Sequence, residues 1–164
     1  PEMKSTGEVM GIDKTFGRAF AKSQLATGIK LPKQGTTFIS VKDSDKPKSV
    51  EIAKGLQDMG YQIVATKGTA DYLKLNGIDT ELIKKVKDGS PHCVEAIESG
   101  RINIVINTTF GEQAIEDSFS IRRSSLNKNL PYCTTIAGAS ALLGGLKSIK
   151  EEDLSITTIQ EYNK

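Results

Sequence analysis

The residues best suited to chemistry in this chain lie in a polar turn, Thr66-Lys67-Gly68-Thr69. The apolar run Tyr61-Gln62-Ile63-Val64-Ala65 precedes it and Ala70-Asp71-Tyr72-Leu73 follows, so the turn reads as the junction of a short strand with a helix. Two threonines, a lysine and a glycine are residue types that can surround a phosphate. Backbone N–H groups at a helix N-terminus point outward, the dipole there favours negative charge, and Thr hydroxyls add donors. A glycine at 68 lets the backbone approach an anion with no Cβ in the way. The pattern is not a Walker motif. Thr before a helix also caps it whatever the ligand, so this turn alone leaves both roles open.

Other turns carry related chemistry. Ser40 and Lys46 flank the polar run Lys42-Asp43-Ser44-Asp45, Asn107-Thr108-Thr109 follows an apolar strand, and Thr134-Thr135 follows another. Lys84 and Lys85 stand beside a weaker strand. Lysines supply charge, hydroxyls supply donors, and Asn can read both a donor and an acceptor on a base or sugar. Together they suit a small phosphorylated ligand such as a nucleotide. Catalysis fits less well. Asp43 and Asp45 are the carboxylates within these turns, and they sit in a charged loop. His92, the single histidine, lies in Pro91-His92-Cys93 at a helix start, where capping or packing competes with acid–base work. Cys93 is its neighbour, and adjacent helical residues face apart, which argues against a dyad. Arg122-Arg123 with Glu116-Asp117 reads as a charged helix face first and an interface second. No catalytic residue is assigned.

What must position these turns is a regular alternation of elements. Strands are predicted at Thr37–Val41, at Tyr61–Ala65, at Glu81–Ile83, at Ile102–Ile106 and at Leu130–Thr134, with a helix after each. Pro47 suits the first turn of the helix that runs to Gly60. A helix over Ala114–Asn127 carries Ile115, Phe119, Ile121 and Leu126 as its apolar positions, and the small apolar run Ile136–Leu143 reads as a buried helix. Leu154–Tyr162 holds one more short element. Such alternation implies a parallel sheet covered on both faces, with ligands outside the carboxyl ends of the strands. Residues 1–28 differ: one helix, with Phe16, Ala19 and Phe20 on its apolar face, is followed by a linker-like run from Gly28 to Gly35. That helix either packs on the main domain or ends a preceding one.

Composition narrows the function classes. The 164 residues suit one domain with one core, with room for part of a neighbour. Net charge is +2, from 22 basic and 20 acidic residues, too balanced for a nucleic-acid binder. No apolar run is long enough to span a membrane, and the N-terminus does not read as a signal peptide. Two cysteines with one histidine provide no metal-binding pattern, so they are read as reduced thiols of a cytoplasmic domain.

Taken together, Ser5-Thr6-Gly7-Glu8-Val9-Met10-Gly11, Ala65-Thr66-Lys67-Gly68-Thr69-Ala70, Ile106-Asn107-Thr108-Thr109, Ile115-Glu116-Asp117-Ser118, Ile121-Arg122-Arg123-Ser124 and Thr134-Thr135 resemble the C-terminal end of the large chain of carbamoyl-phosphate synthase. The resemblance implies that residues 1–28 are the tail of a synthetase (ATP-grasp) domain and that residues 29–164 are an allosteric domain. That domain would have the methylglyoxal-synthase-like, flavodoxin-like α/β fold: a three-layer α/β/α sandwich with a mainly parallel five-stranded sheet. The parent would make carbamoyl phosphate from bicarbonate, two ATP and glutamine-derived ammonia for pyrimidine and arginine synthesis. It would use ATP with Mg or Mn, together with K, and a small glutaminase subunit, while this section would hold no cofactor. By likeness, a UMP or IMP phosphate would sit among Lys46, Thr66, Thr69 and Lys85, with Ser40, Asn107 and Thr109 in the same effector site. Tyr132 and Thr134 match this domain's share of an ornithine site at its border with the preceding domain. The catalytic aspartate of methylglyoxal synthases falls near Ser90-Pro91, with no carboxylate in its place, and their downstream histidine has no counterpart among Glu112 to Asp117. A lyase acting on dihydroxyacetone phosphate is therefore the runner-up, and an interaction module without a small ligand is the third reading.

Overall fold

A computed structural model of the chain describes residues 7–108, 112–151 and 159–162. Its elements run α1 (Phe16–Ala26), β1 (Thr36–Ser40), α2 (Lys46–Asp58), β2 (Gln62–Ala65), α3 (Lys67–Leu75), β3 (Glu81–Leu82), α4 (Cys93–Glu98), β4 (Ile104–Asn107), α5 (Glu112–Asn127), β5 (Tyr132–Cys133), α6 (Ile136–Glu151) and α7 (Ile159–Tyr162). The expected tail element is seen as α7, and its earlier part lies outside the described residues.

All five strands are parallel, in the order β3-β2-β1-β4-β5. The order reverses between β1 and β4, which is where strand ends diverge and leave room for a crevice. The third strand lies outside the second, whereas flavodoxin's order places it beside the first. Alternate side chains of each inner strand enter opposite core layers. Ile39, Ile63, Ala65, Ile104 and Ile106 pack with Ile52, Leu56, Leu73 and Leu142 of α2, α3 and α6. Phe38, Val64 and Val105 face the other way, onto Cys93, Ile97 and Ile121 of α4 and α5. Every residue of β1 is buried, as a strand covered on both faces requires.

Helices α2 and α3 end by the same device and so deliver the chain into the next strand; α1, at Gly28 (φ +81°), and α5, at Asn129 (φ +53°), end by it too. At the end of α2, Gly60 (φ +93°) donates its N–H to Gln57 O at 2.8 Å and Tyr61 to Leu56 O at 3.0 Å. At the end of α3, Gly77 (φ +78°) and Ile78 repeat the pattern onto Lys74 O and Leu73 O. These are Schellman motifs, whose left-handed residue glycine adopts without strain and asparagine tolerates. Tyr61 and Ile78 then enter the core.

Two expected helix faces are corrected. On α1, Phe16 is 73% exposed, and the contact with α6 is made by Gly17 and Ala21 against Gly144 and Gly145, with Phe20 at its border. On α5, Phe119 (66%) and Leu126 (57%) face outward, while Ile121, Ser124 and Ser125 are buried. The reason is the same in both places. Small residues let helix backbones approach closely, so the buried face is chosen by fit, and periodicity of large apolar residues points elsewhere. Ser125 satisfies its hydroxyl on Ile121 O at 2.7 Å and Ser124 on Glu98 of α4 at 3.2 Å, so the polar atoms of that face are partnered.

Candidate effector site

β1 and β2 end side by side, in register from Thr36↔Gln62 to Ile39↔Ala65. The residues just past this edge, Ser40 and Thr66, share a hydrogen bond between buried hydroxyls at 3.0 Å. Thr66 occupies the N-cap position of α3, yet its hydroxyl makes no cap bond and serves the interstrand contact instead. Its carbonyl accepts the N–H groups of Thr69 and Ala70. Thr69 in turn accepts the N–H of Val41 at 3.2 Å, which ties the start of α3 to the exit of β1. The two threonines are thus a buried scaffold that fixes the first turn of a helix. The opening N–H groups of any helix lack intrahelical acceptors; here they belong to Lys67 and Gly68, which line a pocket of about 280 Å³.

Ser40, Thr66 and Thr69 contribute to that pocket, as do Lys46, Lys85 and Lys87 and the carboxylate residues Asp43 and Asp88. Lys46 reaches it from the start of α2. Its ammonium pairs with Asp43 at 2.8 Å and lies 5.9 Å from the centre of the Tyr72 ring. A Cβ on Gly68 would stand only 3.7 Å from Lys46 Nζ, so the charge rests against the first turn of α3. The hydrogen bond from Lys46, and then its charge, hold the Asp43 carboxyl below the usual range. Lys67 pairs with Asp71 at 3.3 Å on the exposed side of α3. Lys85 enters because β3 returns beside β2, with Ile83 N–H bonded to Ala65 O at 3.0 Å. The chain then bends through a 3₁₀ turn at Val86–Asp88, in which the Lys85 N–H donates to Asp88 at 3.3 Å.

Asn107, Tyr132 and Thr134 do not line this pocket. Asn107 is opposite Ser40 in the β1–β4 register, buried, with its amide donating to Ser118 Oγ at 3.2 Å. It also hydrogen-bonds the Tyr132 hydroxyl, whose pKa burial raises. Thr109 lies outside the described residues. Tyr132 and Thr134 belong to the β5 edge, beyond β4, with Thr134 exposed. Asp43, Lys87 and Asp88 are pocket residues that the sequence does not single out. The charged run after β3 carries the signal for Lys87 and Asp88; Asp43 lies in a charged loop whose sequence carries none.

His92 is spent on structure. Its Nδ1 accepts the Glu95 N–H at 3.4 Å, and Glu95 accepts the His92 N–H at 2.8 Å and the Ser90 hydroxyl at 3.0 Å. This is a reciprocal cap of α4. Those bonds, His92's first, hold the Glu95 carboxyl below its usual range. Cys93 is fully buried, and burial pushes the Cys133 thiol up to about 12, far from a thiolate at neutral pH. Among the described residues no three or more His, Cys, Asp or Glu side chains gather as a metal site, and no helix is long and apolar enough to cross a membrane.

Comparison with known proteins agrees with this architecture. Residues 48–134, over half of the chain, match the MGS-like domain family. The chain is 53% identical over 162 residues to the carbamoyl phosphate synthase large chain of Myxococcus xanthus, a match covering 99% of this chain and 15% of that protein. It is 47% identical to the large chain's C-terminal section from Methanopyrus kandleri, over all of this chain and 30% of that one. The corresponding section from Aquifex aeolicus is also 47% identical, with 32% of it covered. The chain therefore spans about a sixth to a third of these relatives. The crystal structure of a methylglyoxal synthase from Elizabethkingia anophelis superimposes with a TM-score of 0.54 over 70% of this chain and 79% of that one; at 17% identity it speaks for the fold alone. The chain belongs to the MGS-like domain family, and it is homologous to the C-terminal section of carbamoyl phosphate synthase large chains.

Proposed function

We propose that this chain is the effector-binding section of a glutamine-using carbamoyl phosphate synthase and that its pocket takes the phosphate of a nucleoside monophosphate, UMP or IMP, without reacting with it. One observation carries the reading: Lys46 is held against the N-terminal turn of α3 while Lys85 lines the same pocket. A cation added to the positive end of a helix is a poor arrangement for any purpose except meeting an anion. Asn107, and Thr109 beyond the described residues, complete the effector site in this proposal, and Tyr132 with Thr134 serves an ornithine site shared with a preceding synthetase domain. The division near Gly28, the cytoplasmic setting, the small glutaminase subunit and the parent's ATP, Mg or Mn, and K belong to the same proposal, as does its place in pyrimidine and arginine synthesis.

Lys85 offers the clean test, because its side chain lines the pocket without any role in the hydroxyl scaffold. Replacing it by Met removes a charge-assisted contact, typically about 1.5–3 kcal/mol, so UMP affinity measured by calorimetry should fall roughly 10- to 100-fold. Unaltered affinity for both UMP and IMP in Lys85→Met would refute the assignment. Asp88 in the pocket wall keeps a second reading open, a lyase acting on dihydroxyacetone phosphate. Methylglyoxal released by the purified chain, and abolished by Asp88→Asn, would establish that one.

A further inference from the structure

Lys46 sits where an isolated cation is unfavourable, against the first turn of α3. Asp43 offsets that charge at 2.8 Å, and it lines the same pocket. The two partners are held very differently. The Lys46 side chain is 20% exposed and rests near the Tyr72 ring, whereas the Asp43 side chain is 95% exposed. Lys46 therefore keeps its place without Asp43, while Asp43 has water to return to.

We propose that Asp43 is a built-in competitor for the anion pocket, an internal carboxylate that takes the charge partnership of Lys46 until a phosphate displaces it, and that it thereby sets the pocket's affinity. The proposal rests on the reading of the pocket as a phosphate site. An entering phosphate and the Asp43 carboxylate would lie well within a Debye length of each other and repel. The exposed partner gives way. Asp43 is ionised at neutral pH, since Lys46 lowers its pKa. Asp88 is the other pocket carboxylate, but it serves the 3₁₀ turn through the Lys85 N–H and is no partner of Lys46 in the structure.

The test is calorimetric titration of the full chain with UMP and with IMP, alongside thermal melting. Asp43→Asn should bind about three- to fivefold more tightly, the scale of an exposed ion pair, while melting roughly 1–3 °C lower because Lys46 has lost its counter-charge. Opposite movement of the two readouts separates competition from positioning, in which affinity and stability would fall together. The gain should disappear when Lys46→Met is combined with Asp43→Asn, and Asp88→Asn should not reproduce it. Unchanged or weaker binding in Asp43→Asn overturns the proposal, as does an equal gain in Asp88→Asn or a gain that survives Lys46→Met. If neither the wild-type chain nor Asp43→Asn binds either nucleotide, the effector-site reading itself fails. Binding by the wild-type chain with no gain in Asp43→Asn removes only the role given to Asp43.

Discussion

The hydroxyl of Thr69 accepts the N–H of Val41, the residue directly after the end of β1. The contact is buried, so removing the acceptor strands a donor away from water. Thr69→Val, nearly the same shape, should cost about 1–3 kcal/mol in urea unfolding, and Thr69→Ser should retain most of the stability. A lower nucleotide affinity in Thr69→Val would then report a disturbed scaffold as much as a lost ligand contact. The two kinds of pocket residue separate on this basis. Ser40, Thr66 and Thr69 are buried and hydrogen-bonded to protein, so their first work is to hold the turn. Lys46, Lys85 and Lys87 bring the charge.

Among the elements, α1 and α6 meet most tightly where Gly17 faces Gly144. A Cβ on Gly17 would approach the Gly144 carbonyl oxygen to 2.8 Å and the Ser148 hydroxyl to 2.7 Å. Ala raises helix propensity by about 0.5–1 kcal/mol, but overpacking against backbone costs about 1–3 kcal/mol. The clash should win: Gly17→Ala is expected to lower stability by roughly 1–2 kcal/mol in denaturant titration. A stabilised variant would mean that the helices can separate at no cost. The segment leading into α1 is anchored by Asp13, which pairs with Lys22 at 2.7 Å and Arg18 at 3.0 Å. The hydrogen bond from Lys22 is the largest contribution holding this carboxyl near 2, below its ordinary 3.8. A pKa depressed by folding contributes stability above the ordinary value and loses it as pH falls toward the folded one. Between about pH 4 and pH 2 the wild-type chain should therefore lose stability more steeply than Asp13→Asn. Parallel acid limbs in the two stability–pH profiles would show that Asp13 does not anchor the segment.

For the molecule as a whole, a ligand that binds only the folded chain must stabilise it. At a hundred times its dissociation constant, UMP should add about 2.7 kcal/mol, and the melting temperature should rise by roughly 5–10 °C for a chain of this size. No shift with UMP, IMP or inorganic phosphate would favour an interaction module without a small ligand. Binding would establish a site but not regulation. Regulation needs two states of the parent that differ in affinity for the effector, and the effector can shift their balance only by that difference. The pocket opens beside β1, β2 and the turn after β3, whereas α1 packs on α6.

The sequence by itself determined the alternation of strands and helices, the parallel sheet and the common edge to which Ser40, Thr66 and Asn107 belong. These follow from local periodicity and from glycine at the helix ends, both of which act over a few residues. Which faces of α1 and α5 are buried was settled only by the tertiary structure, because close approach at Gly17, Gly144 and the Ser124–Ser125 face depends on what stands opposite. The pocket's membership was settled in the same way. Lys87 and Asp88 reach it because β3 lies outside β2, and Asn107 turns to Ser118 and Tyr132 because β5 lies beside β4. The Thr66-Lys67-Gly68-Thr69 turn shows both halves of the lesson. Its residue types announce an anion-friendly helix start, but only the neighbouring strand reveals that the two threonine hydroxyls are engaged with β1 and its exit. Hydrogen bonds between segments distant in the chain have no local signature, so the strand order had to be known before the charges could be counted.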